Sequence, residues 1–456
     1  MTGRNSNPKR SPTGSHEIRL RRVLNLVQTL FLGVGTAIGG VMFVIMGRAV
    51  ELAGPSIIIT FLIGSVFALL IGICYAELGS TVPSGAGGAI SFVSRAFGDG
   101  IPTFLAGWFD WIGSITDCAI GAVVFSFSVN YFINWIEPFS LAIITLIVFT
   151  LINFRGAKTM GVAQFSLTLV LVITLCIFIS GSFLSFDFGR FQPFFPNGAL
   201  PTILLISYIF PTYAGYETIT QLSEEVKIAG KTIPRALFLT LAIITILFTG
   251  SAIALVGGAP PEVYVGSNTP LQNAANYFMG PVGGAAVSIG SIFATLSTIN
   301  GSMGGGTRIA YALSRRKLLP PFFNRVHPKF NSPYTALALT SLIAIIFVLT
   351  RSIDFIVYAI ALGYSVTAIM VCVALIRLRK TEPQLFRPFK VPLFPYLPII
   401  AVAVLLLMII TLSLESLALG LTFGLIGIGL LTLAKRRKQQ SKDQQPSVTS
   451  QKGEFQ

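Results

Sequence analysis

Three acidic residues stand inside long apolar stretches of this sequence. Asp110 and Asp117 lie in one stretch, and Glu217 lies in another. Charged groups are costly inside a bilayer, so an acid at membrane depth is a candidate for proton transfer or for pairing with a cationic group. Asp110 and Asp117 are seven residues apart and share one face of a helix. Asp117 is the first candidate for proton coupling; a purely structural carboxyl that ties helices together stays an equal alternative.

Glycine and proline are clustered in two apolar stretches, the second of which also carries Glu217. One is LGVGTAIGGVMF at residues 32–43, and the other contains Pro211 and Gly215 in YIFPTYAGYE. Such clusters interrupt a membrane helix and expose backbone groups, and interruptions at matching positions of two repeats indicate a transport site. Half-helix ends suit a carboxylate at the amino end and an ammonium group at the carboxyl end. The pattern favours a zwitterionic amino acid, with close helix packing as the alternative.

Twelve apolar stretches can each form a helix that positions these residues in a bilayer. A hydrocarbon core of roughly 30 Å takes about 20 mainly apolar helical residues. Stretches such as 57–70 are apolar on nearly every face, which is typical of membrane helices and not of alternating strands. The predicted spans are residues 27–47, 55–78, 102–131, 138–153, 161–183, 199–222, 236–257, 281–307, 333–350, 353–376, 395–412 and 415–434.

The composition and the charge distribution support a membrane protein. Of the 456 residues, 53% are hydrophobic and only 11% are charged, which excludes an ordinary soluble domain. The formal net charge is +15, but its distribution follows membrane orientation and does not indicate a nucleic-acid partner. With the amino terminus inside, Arg48, Arg190 and Arg351 are the only three of 32 Lys and Arg residues on the outside. Both termini are therefore expected in the cytoplasm, with the lipid bilayer as a partner.

The motifs of common enzymes are missing from the sequence. There is no Walker P-loop, HExxH or GxSxG pattern, and the two histidines are His16 and His327. The prediction is that the chain is not an enzyme and needs no cofactor and no metal. The ends of the chain are rich in polar residues, and we expect disordered tails there.

A series of motifs resembles the amino acid, polyamine and organocation transporter superfamily. The first span is similar to the pattern GxxIGxGIF, and YAGYETITQLSEEV in the sixth resembles YxGFDxxxxxxEEV. The other motifs in the series are AGP at 53–55, YAELG at 75–79, PSGAGG at 83–88, RIAYALSRRKLLPPFFNRVHPKFNSP at 308–333 and RPFKVPLFP at 387–395. Val41 departs from the pattern where the family has its last glycine, and Arg316 and Lys317 replace an Asp-Gly pair, which we expect to affect cytoplasmic packing.

This resemblance implies an all-α membrane protein with the leucine-transporter-like fold, in which five helices are repeated with inverted topology and two more follow. It divides the chain into a basic cytoplasmic tail (1–26), a first repeat (27–183), a second repeat (199–376), two extra helices (395–434) and a disordered cytoplasmic tail (435–456). It also implies alternating access around a site at the middle of the membrane.

The resemblance also assigns roles to single residues. It implies that backbone groups at the interruption of the first span bind the substrate carboxylate. Residues of the sixth span would bind the ammonium group through their backbone carbonyls and close over the substrate side chain. The first set is Gly35, Thr36, Ala37, Gly39 and Gly40, and the second is Phe210, Tyr213 and Gly215.

The driving ion stays open at this point. Leu171 stands where several proton-coupled members of the resembled family place a lysine, so this chain lacks that lysine. Ser297 and Thr298 could supply hydroxyl ligands for sodium near the same place, although such hydroxyls often bond within their own helix. Glu217 matches a family acid that could face a cationic group or the proton path, or could bond to the nearby backbone.

The sequence therefore predicts a secondary active transporter of amino acids, by proton-coupled symport or by exchange. One alternative is a carrier of polyamines or other organocations. Another is a membrane sensor or subunit that binds a substrate without moving it.

Overall fold

The protein folds as a bundle of apolar helices. The structure, a computed structural model, describes residues 24–82, 88–155, 160–221, 223, 226–330 and 332–443. The predicted amino-terminal tail as far as residue 23, most of the PSGAGG loop and the last 13 residues lie outside these ranges. The helices are α1 (Leu26–Ala37), α2 (Val41–Ala53), α3 (Ile57–Thr81), α4 (Ala89–Phe97), α5 (Ile101–Asn130), α6 (Pro138–Phe154), α7 (Met160–Gly181), α8 (Ala199–Leu204), α9 (Ile206–Ile209), α10 (Thr218–Gln221), α11 (Ala229–Gly258), α12 (Pro270–Arg315), α13 (Tyr334–Leu349), α14 (Ile353–Thr381), α15 (Tyr396–Ile410) and α16 (Leu414–Asp443).

The predicted all-α membrane fold is confirmed. Among the described residues, eight helical segments are long and apolar enough to cross a membrane, and four shorter apolar helices, α1, α6, α13 and α15, complete the predicted spans. α5 packs along both α12 and α14. In the most apolar part of α5, 83% of the helix is buried inside the protein, which places α5 at the centre of the bundle.

Two differences from the predicted boundaries have local causes, while the eighth span begins where it was predicted. α4 was not predicted because it is a nine-residue amphipathic helix, too short for a span. The α12 range includes a short helix before Gly280, whose φ of 68° and ψ of −170° are not helical, so the long helix of the eighth span begins at Pro281. α16 continues to Asp443, through residues 435–443 that were expected to be disordered. Lys, Arg and Gln are good helix formers and extend a helix that has already begun.

Side-chain contacts define two ends of the bundle. At the amino-terminal end, where α1 begins, Glu77 of α3 meets Arg379 of α14, and Arg316 after α12 pairs with Asp99 at 2.7 Å. At the opposite end, Arg48 of α2 lies beside Asp354 of α14. Arg316, at one of the two positions that depart from the family pattern, thus takes part in a contact between the segment after α12 and the segment after α4.

Glu77 is the centre of a buried ionic contact at the amino-terminal end. Its carboxyl accepts hydrogen bonds from the Arg379 guanidinium and, at 2.6 Å, from the amide of Val391, and it lies 3.2 Å from Arg387. Only 1% of the Glu77 side chain and 6% of the Arg387 side chain are exposed. The YAELG motif therefore joins α3 to the segment after α14.

We expect Glu77→Gln to destabilise the protein strongly. The change leaves two arginines without their counter-charge, and breaking a buried pair in this way costs about 3 kcal/mol or more. Thermal unfolding in detergent measures the effect. Glu382→Gln is the matched control, since it removes a pair with Arg95 whose side chains are each 35% exposed, and exposed pairs contribute about 1 kcal/mol or less. Equal effects of the two variants would contradict a dominant role for Glu77.

The end of α12 carries a backbone strain that substitution can relieve. The amide of Leu318 donates to the carbonyl of Leu313, and the amide of Lys317 donates to that of Ser314, which is the Schellman arrangement. Lys317 therefore occupies the position that favours glycine, with φ 62°. Arg316 and Lys317 replace Asp-Gly of the family pattern, so this position has lost its glycine.

Lys317→Gly is expected to raise the unfolding temperature. A residue with a Cβ in the left-handed region costs roughly 1 kcal/mol. Lys317→Ala removes the same charge and keeps the Cβ, so it should give no comparable gain in the same thermal unfolding measurement. An equal gain from alanine would assign the effect to charge and not to the backbone.

Candidate functional site

The interruptions of the first and sixth spans lie against each other. The helix stops at Ala37, Ile38 leaves helical geometry at φ −81° and ψ 71°, and α2 begins at Val41. In the sixth span, a 3-10 turn that contains Pro211 leads to Gly215 at φ 108°. The hydroxyl of Thr36 lies within hydrogen-bonding distance of the carbonyl oxygen of Gly215, at 2.9 Å, and also of the carbonyl oxygen of Leu32 in its own helix, at 2.8 Å. The structure thus brings the two predicted interruptions into direct contact.

Gly215 has a geometric reason to be glycine. Its positive φ disfavours any residue with a Cβ, and a Cβ at this position would collide with the carbonyl group of Thr36 and approach the amide of Ala37. These neighbours are backbone atoms, which cannot turn away as a flexible side chain can. The contact between the two interruptions therefore depends on the missing side chain.

Gly39 and Gly40 bring the first span close to α12. A Cβ on Gly39 would lie 3.2 Å from the hydroxyl oxygen of Thr298, and one on Gly40 would lie 2.5 Å from the methyl carbon of Thr295. Gly35 and Ala37 are buried in the last turns of α1. Close helix packing therefore operates here together with the interruption of the helix.

The ends of α1 and α2 carry the electrostatic features of an ion site. α2 begins after Gly40, and no side chain caps its first amides. The amides of Val41 and Met42 have no carbonyl partner within the helix, whereas that of Phe43 donates to the carbonyl of Gly40. This helix end carries a partial positive charge, which suits a carboxylate. The last carbonyls of α1 have the opposite polarity.

The aromatic residues of the sixth span point toward α3. The hydroxyl of Tyr213 donates to the carbonyl of Phe61 at 2.6 Å, and that of Tyr216 donates to Ala68. The ring of Tyr213 also packs on Phe248 at 5.4 Å. Phe210 is buried at the start of the 3-10 turn. These contacts hold the interrupted span in place; substrate contacts through Phe210 and Tyr213 stay a prediction.

Glu217 stabilises the sixth interruption. Its two carboxylate oxygens accept from the amide of Gly215 at 3.0 and 2.8 Å. This is the backbone contact that was the alternative to a direct functional role. Glu217 also interacts electrostatically with Asp110 and Asp117, so the three acids of the apolar spans share one region of the protein.

Asp117 joins three spans at the centre of the bundle. One oxygen of its carboxyl accepts hydrogen bonds from the hydroxyl of Tyr364 on α14, at 2.8 Å, and from that of Ser302 on α12, at 3.3 Å. Asp117 is partly exposed, although most of α5 is enclosed by the other helices. Asp110 is 4% exposed, and its carboxyl makes no hydrogen bond among the described residues.

The sequence did not single out Tyr364 or Ser302. Tyr364 stands between Gly363 and Ser365 in an apolar span. A tyrosine hydroxyl flanked by small residues could have indicated a hydrogen-bond donor inside the bundle. Ser302 lies in the glycine-rich segment GSMGGG, where its direction toward Asp117 depends on the packing of α12 against α5. Such a direction is a tertiary property and has no signature in one sequence.

The predicted hydroxyl pair lies next to the first interruption. Thr298 is the residue opposite Gly39, and its hydroxyl donates to the carbonyl of Ala294 at 3.1 Å. Ser297 is 7% exposed. Leu171, the position considered for a coupling lysine, is buried with 1% exposure.

Comparisons with known proteins agree with this architecture. A family model described as amino acid permease matches residues 24–416. The chain is similar to the methylthioribose transporter of Bacillus subtilis, with 28% identity over 414 residues, which covers 85% of this chain and 87% of that protein. It is also similar to the branched-chain amino acid permease BcaP of the same organism, with 25% identity over 450 residues and coverage of 93% and 95%.

A third relative from Bacillus subtilis is the serine/threonine exchanger SteT. It is 28% identical over 436 residues, which covers 92% of this chain and 98% of the relative. The family match extends over most of the chain, and it includes both interrupted spans and the acids near them. The chain belongs to the amino acid permease family of the amino acid-polyamine-organocation superfamily, a family of multi-pass membrane transporters and not of enzymes.

Proposed function

We propose that the protein is a secondary active transporter that moves amino acids by alternating access around the two interrupted spans. The observation that carries this proposal is the contact between Thr36 and Gly215, where two broken helices meet at 2.9 Å. Interruptions at matching positions of two repeats are the usual location of a transporter site. The partly exposed surfaces of Thr36, Gly39 and Asp117 support an accessible space beside this contact.

The substrate carboxylate binds at the amino end of α2. Gly39 is partly exposed there, and the amides at the start of α2, which no side chain caps, supply hydrogen-bond donors. Gly35, Thr36 and Ala37 belong to the facing end of α1. The ammonium group binds to carbonyls of this helix end and of the turn from Phe210 to Gly215, so both charges of an amino acid are matched by backbone dipoles.

Two modes of energy coupling are proposed for this site. In proton symport, Asp117 carries the proton, because its carboxyl is partly exposed and connects α5, α12 and α14. In exchange, Asp117 is structural, and a second substrate molecule drives each return step; the likeness to an exchanger supports this mode. Sodium coupling through Ser297 and Thr298 is the alternative to both modes, and uptake driven by an imposed sodium gradient would reveal it.

The amino-terminal end of the bundle faces the cytoplasm. The contacts at this end include Arg95, Arg316, Arg379 and Arg387. An excess of arginine and lysine on one side is typical of the cytoplasmic side. Both termini are then cytoplasmic, and Arg48 and Asp354 lie on the outside.

Uptake into proteoliposomes tests the proposal. The substrate panel contains labelled isoleucine, valine, serine, threonine, methylthioribose and spermidine, with imposed pH or sodium gradients or with the same compound preloaded inside. Saturable uptake of an amino acid is expected. Uptake of spermidine alone would favour the organocation carrier, which the grouping of Glu217, Asp110 and Asp117 makes a real alternative. Saturable binding with no uptake of any compound would favour a sensor and contradict the proposal.

A further inference from the structure

Four polar side chains line a contact at the end of the bundle where α5 finishes. They belong to α5, to the short helix before Gly280 and to the long helix after it. The side-chain amide of Gln272 donates to the hydroxyl oxygen of Ser128 at 3.2 Å, and the hydroxyl oxygens of Ser128 and Ser291 lie 2.8 Å apart. We call these three residues and Ser288 the polar seam.

The polar seam is buried, and two of its oxygen atoms have no hydrogen-bond partner among the described residues. Exposure is 1% for Gln272 and 0% for the three serines. The two atoms are the side-chain oxygen of Gln272 and the hydroxyl oxygen of Ser288. Serine hydroxyls of membrane helices commonly bond to a carbonyl of their own helix, and that of Ser128 lies 2.9 Å from the carbonyl oxygen of Val124. A buried polar group without a partner is destabilising, so both oxygens indicate a bound ligand.

Ser288 faces the same contact as Gln272. Gly284, four residues before Ser288, and Ser291, three residues after it, lie on the same face of the long helix. A Cβ on Gly284 would lie 3.2 Å from the Cβ of Asn276, in the short helix. Ser291 lies beside the serine of α5 that binds Gln272, one turn before Asn276. Ser288 is therefore flanked on both sides by contacts of this face with the short helix and α5.

The polar seam ends one helical turn from the first interruption. Thr295 follows Ser291 by four residues on the same face, and its methyl carbon would lie 2.5 Å from a Cβ on Gly40. The hydroxyl of Thr295 lies 2.8 Å from the carbonyl oxygen of Ser291, in its own helix. The four seam residues differ from those assigned above to the substrate or to a coupling ion. The seam is therefore a separate site beside the proposed substrate region.

We propose that the polar seam binds one water molecule, which bridges the side-chain oxygen of Gln272 and the hydroxyl of Ser288. The four side chains are uncharged, so the site suits a neutral ligand. Water can donate to the Gln272 oxygen, which only accepts, and can either donate to or accept from the Ser288 hydroxyl. Buried water usually binds in this way, to polar groups that the chain itself leaves unpaired. The inference goes beyond the proposed function and does not depend on transport.

The bridging water joins three segments of the bundle. Gln272 binds α5 through Ser128, and the water extends this contact to Ser288 on the long helix. The short helix before Gly280 is thereby attached to both of its neighbours through one glutamine. Loss of the water should therefore lower the stability of the protein.

Electron cryo-microscopy of the protein in nanodiscs tests the site directly. In a map that shows ordered water, we expect density within about 3.2 Å of both the Gln272 oxygen and the Ser288 hydroxyl oxygen. Empty space there, in a map that shows ordered water elsewhere in the protein, would overturn the proposal. A direct hydrogen bond between the two side chains would overturn it as well.

Thermal unfolding of Ser288→Ala in detergent gives a second test, because the sign of the change depends on the water. If the hydroxyl binds the bridging water, its loss leaves the Gln272 oxygen poorly paired, and the unfolding temperature should fall by at least about 2 °C. If the hydroxyl has no partner, its removal relieves a buried polar group and the unfolding temperature rises. A rise or an unchanged temperature would contradict the proposal.

Thr240→Val is the matched control. The hydroxyl of Thr240 is also buried and has no partner among the described residues. It lies beside Gly33, where the other nearby side chain is the apolar Ile219. Replacing this hydroxyl with a methyl group of the same shape should leave the unfolding temperature unchanged or raise it. An equal fall in Thr240→Val and Ser288→Ala would assign the effect to the loss of any buried hydroxyl, against the proposal.

The double variant of Ser288→Ala and Gln272→Met shows whether the two residues share one ligand. Each single variant removes the same water, so the double variant loses it only once. Its fall in unfolding temperature should be at least about 2 °C smaller than the sum of the two single falls. Additive falls would show that the two side chains act independently and would overturn the bridging water.

Discussion

Gly215→Ala is expected to reduce uptake by about 100-fold or more, which corresponds to a loss of roughly 3 kcal/mol. The new Cβ would collide with the carbonyl group of Thr36, and the backbone at φ 108° disfavours any residue but glycine. The collision and the unfavourable backbone conformation can be relieved only if the two interruptions separate. The hydrogen bond from Thr36 to Gly215 is then lost. The measurement is initial uptake of the best substrate of the panel in proteoliposomes, with protein amount and folding checked by size-exclusion chromatography.

Gly301→Ala is the control for this prediction. It adds the same methyl group to a glycine that has nothing within 4 Å of the added Cβ, and alanine favours a helix over glycine. Uptake by Gly301→Ala should stay within about twofold of the unsubstituted protein, because it adds no contact at the interruptions. If Gly215→Ala transports normally, the contact between the interrupted spans is not the transport site.

The interruptions could be predicted because their cause is local. Proline lacks an amide donor and glycine tolerates positive φ, so Pro211 and Gly215 break a helix wherever it packs. The spans could be predicted for a similar reason, since the length of an apolar run is read directly from the sequence. The YAELG motif that carries Glu77 is also visible in the sequence, although its buried partners Arg379 and Val391 are not.

The partners of the candidate residues could not be predicted, because they come from distant parts of the chain. Asp117 meets Tyr364, which is 247 residues away, and Tyr208 meets Asp354, which is 146 residues away. Which side chains meet depends on the rotation of each helix in the bundle. An apolar span such as α14 is hydrophobic on most faces, so its sequence pattern does not fix this rotation.

Asp117→Asn is expected to abolish accumulation driven by a pH gradient and to leave exchange of preloaded substrate intact. An amide cannot take up the proton that symport would carry, but it has nearly the same shape and still accepts the hydrogen bonds of Tyr364 and Ser302. A gradient of one pH unit can support an accumulation of about tenfold for each proton carried. The measurement is the ratio of internal to external substrate after an imposed acid-outside gradient, which should fall to the ratio seen without a gradient.

Asp110→Asn and Tyr364→Phe separate the possible reasons for such a loss. Asp110 is a buried acid of the same helix whose carboxyl makes no hydrogen bond among the described residues, so its amide variant should keep gradient-driven accumulation. Tyr364→Phe keeps the carboxyl of Asp117 but removes its shorter hydrogen bond, so accumulation should persist with an altered dependence on pH. If Asp117→Asn accumulates substrate as well as the unsubstituted protein does, the proton does not pass through Asp117. Uptake that then requires only preloaded substrate would make the protein an exchanger, in which the carboxyl joins α5, α12 and α14 without being protonated in the cycle.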